Sequence, residues 1–201
     1  PDPRMTSRAC TVADFDGNGR DDIAFISELD LDLGSQQRIE GSPTVWVLLN
    51  TEDGWELVEE GLPIVVIADD IEHADIDADG KLDLVLGSNT ADWRSLVYFN
   101  RDDGWVEEYS FKVLSNAYHF DVEPVVRPDG TREIYAAFMQ YRQIGGANQA
   151  RTGLIRYEWT DDGLVAPSGG AIYFDDGRAN PYVRVGVGDL NGDGFTDLVS
   201  G

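Results

Sequence analysis

A ten-residue acidic pattern recurs three times along this chain, and this repeat constrains the fold more than any other feature. The pattern is D-x-[DN]-x-[DN]-G-x-x-D-[IL], and it occupies residues 14–23, 75–84 and 189–198. Its copies begin 61 and then 114 residues apart, and the second interval is twice 57. A degenerate copy is therefore expected over residues 121–133, where Pro124 to Pro128 separate its two halves. Regular units of this length are typical of repeat architectures.

A second repeat alternates with the first. An Asp-Gly pair follows a β-rich run at Asp53-Gly54, at Asp103-Gly104 and at Asp162-Gly163. Glycine supplies the positive φ that a tight hairpin turn requires, so each place predicts a β-hairpin. Two hairpins in each unit give four antiparallel strands, and no unit has helical periodicity or room for a crossover helix. Four-stranded antiparallel units that repeat along a chain predict an all-β fold, specifically a β-propeller.

The spacing divides the chain into units of one propeller section, with no second domain. The expected blades cover approximately residues 9–67, 68–115, 116–182 and an incomplete 183–201. Propellers typically close with about four to eight blades. We therefore expect about three and a half blades of a larger propeller, whose remainder or a partner chain covers the open, apolar blade faces.

Charge and composition exclude several classes of protein. The 201 residues include 38 acidic and 15 basic side chains, for a formal net charge of −23. This charge argues against nucleic acid or anionic lipid as a partner. A hydrophobic content of 42% argues against disorder, and no apolar run is long enough for membrane insertion. Cys10 is the sole cysteine, which rules out an intrachain disulfide and a cysteine-rich zinc site.

The acidic pattern has the chemistry of a cation loop. Side chains at its positions 1, 3, 5 and 9 converge when the chain curls, the glycine at position 6 permits the sharp turn, and the carbonyl at position 7 can add an oxygen. Such an all-oxygen set suits Ca²⁺. An EF-hand would need a glutamate at position 12, which is occupied here by Phe25, Leu86 and Ser200. A merely solvated turn is the alternative, and three matching copies favour the cation site.

The three loops, each preceded by Ala13, Ala74 or Gly188, resemble FG-GAP/VCBS repeats, which build calcium-binding β-propellers such as that of integrin α chains. The segments VLLNTEDGW and YFNRDDGW resemble the second hairpin of those repeats. The resemblance is weak in the third unit, whose loop is expected to bind Ca²⁺ weakly or not at all. The implied side-chain ligands are Asp14, Asp16, Asn18, Asp22, Asp75, Asp77, Asp79, Asp83, Asp189, Asn191, Asp193 and Asp197, and the implied carbonyl ligands are Arg20, Lys81 and Phe195.

The resemblance implies a class of function without selecting one member. The family spans adhesion receptors, lectins and parts of polysaccharide lyases, and a shared fold does not fix an activity. We expect a Ca²⁺-stabilised binding module, extracellular, on the cell surface or periplasmic, that takes a saccharide or protein ligand. The alternatives are a lyase-like enzyme and a structural spacer within a large surface protein.

The two histidines are the most enzyme-like residues in the chain. His73 and His119 each lie two residues before an aspartate that opens a loop, Asp75 or Asp121. If the repeats align there, the histidines occupy equivalent places on innermost strands, where they would form an acid/base pair or a transition-metal site. The alternative is simple packing between blades.

Arginine and aromatic residues collect in the segments expected to face away from the acidic loops. These segments are the expected B–C loops, which include residues 88–94 and 140–152. Arginine beside aromatic rings suits acidic sugars or acidic protein side chains. The candidate ligand-binding residues are Trp93, Arg94, Arg142 and Arg151. Ordinary loop composition is the alternative.

Overall fold

The alternating hairpins of the sequence form antiparallel β-strands in the computed structural model. It describes residues 7–27, 31–32, 37–38, 45–58, 61–62, 68–88, 95–111, 117–144, 147–174 and 184–201. No helix in these ranges is long and apolar enough to cross a membrane. The strands are β1 (Ser7–Ala13), β2 (Asp22–Ser27), β3 (Leu31–Asp32), β4 (Gln37–Arg38), β5 (Val45–Thr51), β6 (Gly54–Val58), β7 (Ala68–Ala74), β8 (Asp83–Ser88), β9 (Ser95–Arg101), β10 (Gly104–Phe111), β11 (Ala117–Val126), β12 (Arg132–Ile144), β13 (Ala147–Thr160), β14 (Gly163–Val165), β15 (Ala171–Tyr173), β16 (Val185–Gly188) and β17 (Asp197–Ser200).

These strands form three large sheets and two hairpins. Sheet 1 has the order β1-β2-β5-β6, and sheet 2 has the order β7-β8-β9-β10. Sheet 3 has the order β11-β12-β13-β14, with β15 also paired to β13. The strands β16 and β17 form a hairpin, as do the short β3 and β4. The predicted all-β class is therefore confirmed, and so are the four-stranded antiparallel units in sheets 1 and 2, whereas sheet 3 has a fifth strand.

Sheet 2 is buried on both of its faces. Leu84 and Leu86 pack into a cluster shared with sheet 1, which contributes residues such as Val47. Val85 points to the other face and joins a cluster shared with sheet 3, which contributes residues such as Phe138. Burial on both faces explains why β8 reads as a continuous apolar run. Burial of each of these side chains contributes about 1.5–3 kcal/mol to the free energy of folding.

The register of the first hairpin in each unit places the acidic loops. The ninth residue of each loop opens the second strand and lies opposite the small residue that ends the first strand. Ala13 lies opposite Asp22, Ala74 opposite Asp83, and Gly188 opposite Asp197. In sheet 3 the corresponding pair is Val125 and Glu133.

The predicted alignment of the third unit was wrong at its start. The strand β11 continues through Asp121 and Pro124 to Val126, so Asp121 does not open a loop, and only the short turn 127–131 joins β11 to β12. By register, Val126 takes the place of a loop's first aspartate, and Glu133 takes that of its ninth residue. A proline fits in β11 because that strand lies at the edge of its sheet.

The two histidines consequently occupy different positions in their sheets. His73 lies opposite Leu84 on β8, whereas the matching position of sheet 3, opposite Ile134, holds Pro124. His119 lies before the bulge in β11, where Ala68 lies before the bulge in β7. The expected equivalence of His73 and His119 is therefore wrong, since it followed from the incorrect alignment of Asp121 with Asp75.

The first strands of successive sheets are neighbours, β1 beside β7, β7 beside β11 and β11 beside β16. An aspartate links two of these pairs in the same way. Asp70 accepts a hydrogen bond from the backbone N–H of Val122 at 2.9 Å, and Asp121 accepts one from Val185 at 2.5 Å. Asp70 and Asp121 each follow the bulge of their strand, so they are register equivalents. The link therefore repeats from one sheet to the next.

Candidate metal centres

Two of the predicted loops bring three carboxylates together. One carboxylate oxygen from each of Asp14, Asp16 and Asp22 lies within 4.8 Å of the others, and Asp75, Asp77 and Asp83 form an equivalent group. Within the part of the chain that the structure describes, the third loop does not form a group of this compactness.

The curl of each loop is set by its first aspartate and its glycine. Asp14 accepts hydrogen bonds from the backbone N–H groups of Asn18 at 2.9 Å and Gly19 at 2.8 Å. Asp189 accepts the same pair of bonds, from Asp193 at 3.0 Å and Gly194 at 2.8 Å. Gly19 has φ +85°, a left-handed conformation that side-chain-bearing residues rarely adopt. The third loop thus curls like the first, although its carboxylates are less tightly grouped.

The ninth residue of each loop has a structural role that the sequence did not reveal. Asp22 accepts hydrogen bonds from Phe15 N at 2.8 Å and from Asn50 N at 2.7 Å. Asp83 accepts the matching bonds from Ile76 N at 2.8 Å and from Asn100 N at 3.1 Å. Each aspartate thus ties its loop to the third strand of the sheet. Because the donors are main-chain N–H groups, no residue type in the sequence signals these bonds.

The second loop has an acceptor that suits a cation. Asp75 Oδ1 is buried and has no hydrogen-bond partner among the described residues. Burial, with Asp77 and Asp79 nearby, raises the pKa of Asp83 to about 7. Converging carboxylates repel one another, by about 1 kcal/mol for each pair at 4 Å in water and more when partly buried. The all-oxygen donor set fits a hard divalent cation such as Ca²⁺, which would relieve both the repulsion and the lone acceptor.

Neighbouring groups complete these loops differently. In the first loop the Asn18 amide donates to Asp16 at 2.8 Å and to the carbonyl of Asn50 at 3.2 Å. In the second loop the Arg101 guanidinium contacts the carboxylate of Asp77 and lies 2.9 Å from that of Asp79. The aspartate at the third loop position therefore contacts a neutral amide in the first loop and a positively charged guanidinium in the second.

The corresponding turn of sheet 3 has an internal ion-pair cluster. Glu133 is 1% exposed and accepts hydrogen bonds from Arg127 Nε at 2.6 Å, Arg156 Nη1 at 2.9 Å and the Tyr135 hydroxyl at 2.9 Å. The turn also lacks an acidic first residue, because Val126 stands there. Sequence reasoning missed these partners, since they come from separate strands and share no motif.

The candidate ligand-binding residues are only partly placed. Trp93 and Arg94 lie outside the described residues. Arg142 lies on β12 opposite Gln149, and Arg151 lies on β13 opposite Gln140. The prediction of a loop over residues 140–152 is therefore wrong, because residues 140–144 belong to β12 and residues 147–152 belong to β13 of one long hairpin. The Arg151 guanidinium stacks over the ring of Tyr173, 4.1 Å from its centroid.

The two histidines contact different residues and share no partner among the contacts described here. His73 Nδ1 lies 2.6 Å from the hydroxyl of Thr11, which links sheet 2 to sheet 1. His119 is 1% exposed, contacts Ser95 Oγ and meets the ring of Tyr157 edge-on. Burial lowers the pKa of His119 to about 3, so its ring is neutral at physiological pH, and burial also lowers the pKa of His73. A buried, neutral His119 offers no accessible acid or base.

Comparison with known proteins adds no family to this geometry. No protein-family model matches the chain, and no curated protein matches it. The FG-GAP/VCBS resemblance of the loops therefore stays a prediction that depends on the residues themselves.

Proposed function

We propose that this chain is a Ca²⁺-stabilised binding module of the FG-GAP/VCBS type, with its sheets arranged as propeller blades. The observation that carries the proposal is the pair of carboxylate groups at Asp14, Asp16 and Asp22 and at Asp75, Asp77 and Asp83, each within 4.8 Å. The adjacency of the first strands from sheet to sheet supports the propeller arrangement. An extracellular, cell-surface or periplasmic site is part of the same proposal, because millimolar Ca²⁺ would keep such loops filled there.

The ions have a structural role in this proposal. Positions 1, 3, 5 and 9 and the position-7 carbonyl supply most of the six to eight oxygens that Ca²⁺ takes, so little coordination is left for a ligand. In the second loop, Arg132 of sheet 3 also donates to the carbonyl of Asp75 at 2.9 Å. A cation that orders this loop would therefore also strengthen a contact between two sheets.

The ligand site lies away from the ions, at the far end of the β12–β13 hairpin. Arg142 and Arg151 are on that hairpin, and Arg151 stacks on Tyr173. In an acidic molecule, an arginine held on an aromatic ring suits a carboxylate of an acidic sugar or of a protein partner. Trp93 and Arg94 belong to the same proposed site.

A saccharide array probed in Ca²⁺ and again in EDTA tests this function. We expect binding to anionic saccharides that is lost in EDTA and weakened by added salt. Replacing both Arg142 and Arg151 with alanine should abolish binding and leave the melting temperature in Ca²⁺ nearly unchanged.

Arg20→Ala is the matched control, because it removes an arginine from the loop end and retains the backbone carbonyl. Normal binding by the double variant would refute the proposed ligand site. If screening finds no saccharide or protein that binds, only the structural role of the Ca²⁺ loops remains.

A further inference from the structure

Arg101 is a basic residue held directly against the second acidic loop. It ends β9, and its guanidinium contacts the carboxylates of Asp77 and Asp79. Its side chain is 26% exposed, and the guanidinium carbon lies 4.6 Å from the centre of the Phe99 ring. Stacking on one side and two carboxylates on the other fix its position. The loop therefore has a positive charge beside two of its predicted ligands.

The equivalent residues of the other sheets do not have this role. Thr51 and Thr160 each precede the second hairpin turn, as Arg101 does. Their hydroxyls donate to the carbonyls of Gly54 at 2.8 Å and of Gly163 at 3.0 Å, so they serve their own turns. Sheet 2 thus differs from the other sheets at two places: it has an arginine at this position, and its acidic loop has a different composition.

That departure is a matter of charge. The first and third loops have three carboxylates and one asparagine at positions 1, 3, 5 and 9, whereas the second loop has four carboxylates. The fourth is Asp79, which replaces Asn18 of the first loop and is one of the two carboxylates that Arg101 contacts. Four carboxylates and one guanidinium give the same net charge, −3, as three carboxylates.

We propose that Arg101 is a built-in counter-ion that lowers the cation affinity of the second loop. This inference deepens the proposed function, since it depends on that loop being a cation site. A divalent ion at Asp75, Asp77 and Asp83 meets repulsion from the guanidinium and competes with it for Asp77 and Asp79. Asp75 Oδ1, buried and without a hydrogen-bond partner in the described structure, is the acceptor that Arg101 leaves for the ion. A charge a few ångströms away in a partly buried site changes affinity by about tenfold or more.

A Ca²⁺ titration of the full chain followed by NMR reads each loop separately. The amide signals of Gly19 and Gly80 report the first and second loops, because each N–H donates to the first aspartate of its loop. In the wild type, Gly19 should respond at lower Ca²⁺ than Gly80. Arg101→Thr should shift the Gly80 midpoint to about tenfold lower Ca²⁺ and leave Gly19 unchanged.

Two further variants separate charge from folding. Thr51→Arg installs the counter-ion at the first loop and should raise the Gly19 midpoint about tenfold. Arg101→Lys retains the charge and should keep the Gly80 midpoint close to that of the wild type. If Gly19 responds to Ca²⁺ but neither Arg101→Thr nor Thr51→Arg shifts a midpoint, this inference fails and the proposed cation binding is retained. If neither glycine responds in any variant, the inference and the proposed function both fail.

Discussion

The first hairpins of sheets 2 and 3 solve one electrostatic problem in two ways. In both, an acidic residue near the start of the second strand is almost fully buried, Asp83 in one sheet and Glu133 in the other. Asp83 has further carboxylates around it, and its pKa is raised to about 7. Glu133 has two guanidinium groups and a tyrosine hydroxyl. The difference teaches that arginine neutralises this repeat position directly in sheet 3, whereas in sheet 2 the position lies among carboxylates, where the proposed function assigns a cation.

The largest effect should follow from removing the charge of Glu133. Glu133→Gln leaves Arg127 and Arg156 without their shared partner, and we expect a loss of about 3 kcal/mol in the free energy of unfolding. The loss should be the same in Ca²⁺ and in EDTA, because this cluster supplies its own cations. Asp83→Asn is the matched control, and its effect should be larger in Ca²⁺ than in EDTA. Denaturant unfolding in both buffers measures this, and a Ca²⁺-dependent loss in Glu133→Gln would contradict the comparison.

An intermediate effect should follow from breaking the acidic loop. Asp77→Ala removes a ligand from the second loop, so the melting temperature should fall in Ca²⁺ and stay unchanged or rise in EDTA. A ligand at about a hundred times its Kd stabilises a fold by about 2.7 kcal/mol, which sets the upper size of this loss. Calorimetric melting of wild type and variant in both buffers would show it. Equal losses in both buffers would mean that Asp77 is only a structural residue.

A smaller effect on stability should come from carboxylates that lie outside both the acidic loops and the Glu133 cluster. Burial and the charges of Glu72, Asp121 and Asp70 raise the pKa of Glu123 to about 7. Burial, with Asp121 and Glu72 nearby, likewise raises the pKa of Asp70 to about 7, opposed by the Val122 amide and by Arg184. A raised carboxyl pKa means that the folded state binds more protons than the unfolded state between about pH 4 and pH 7.

Stability should therefore rise as pH falls from 8 to 5. The measurement is made in saturating Ca²⁺, so that the loop carboxylates are held by the ion. Glu123→Gln should flatten this part of the profile of melting temperature against pH. An unchanged slope would show that the charge of Glu123 is relieved by other groups.

The grouping of carboxylates in the first two acidic loops could be predicted from sequence because the residues involved are local. Four positions within nine residues, with a glycine that permits the turn, are visible without knowing the fold. The hairpins β5–β6, β9–β10 and β13–β14 were equally local, since Asp-Gly marks the turn of each one. The class and strand pattern of the sheets followed directly.

The alignment of the third unit could not be predicted in the same way. Spacing and an aspartate at 121 suggested a loop there, but an edge strand tolerates Pro124, and Asp121 instead bonds Val185 of the next hairpin. The arginines that hold Glu133 come from the turn and from β13, so no motif connects them. Arg101 belongs to the Asp-Gly hairpin repeat, whereas its partners Asp77 and Asp79 belong to the acidic loop repeat, so neither pattern alone reveals the contact.

Calorimetric Ca²⁺ titration of the wild type, Asp77→Ala and Glu133→Gln tests the central claim most directly. We predict that the wild type binds three ions, one at each acidic loop. The stoichiometry should fall by one in Asp77→Ala and stay unchanged in Glu133→Gln. Absence of Ca²⁺ binding by the wild type at millimolar concentration, or an ion lost on replacing Glu133, would contradict it.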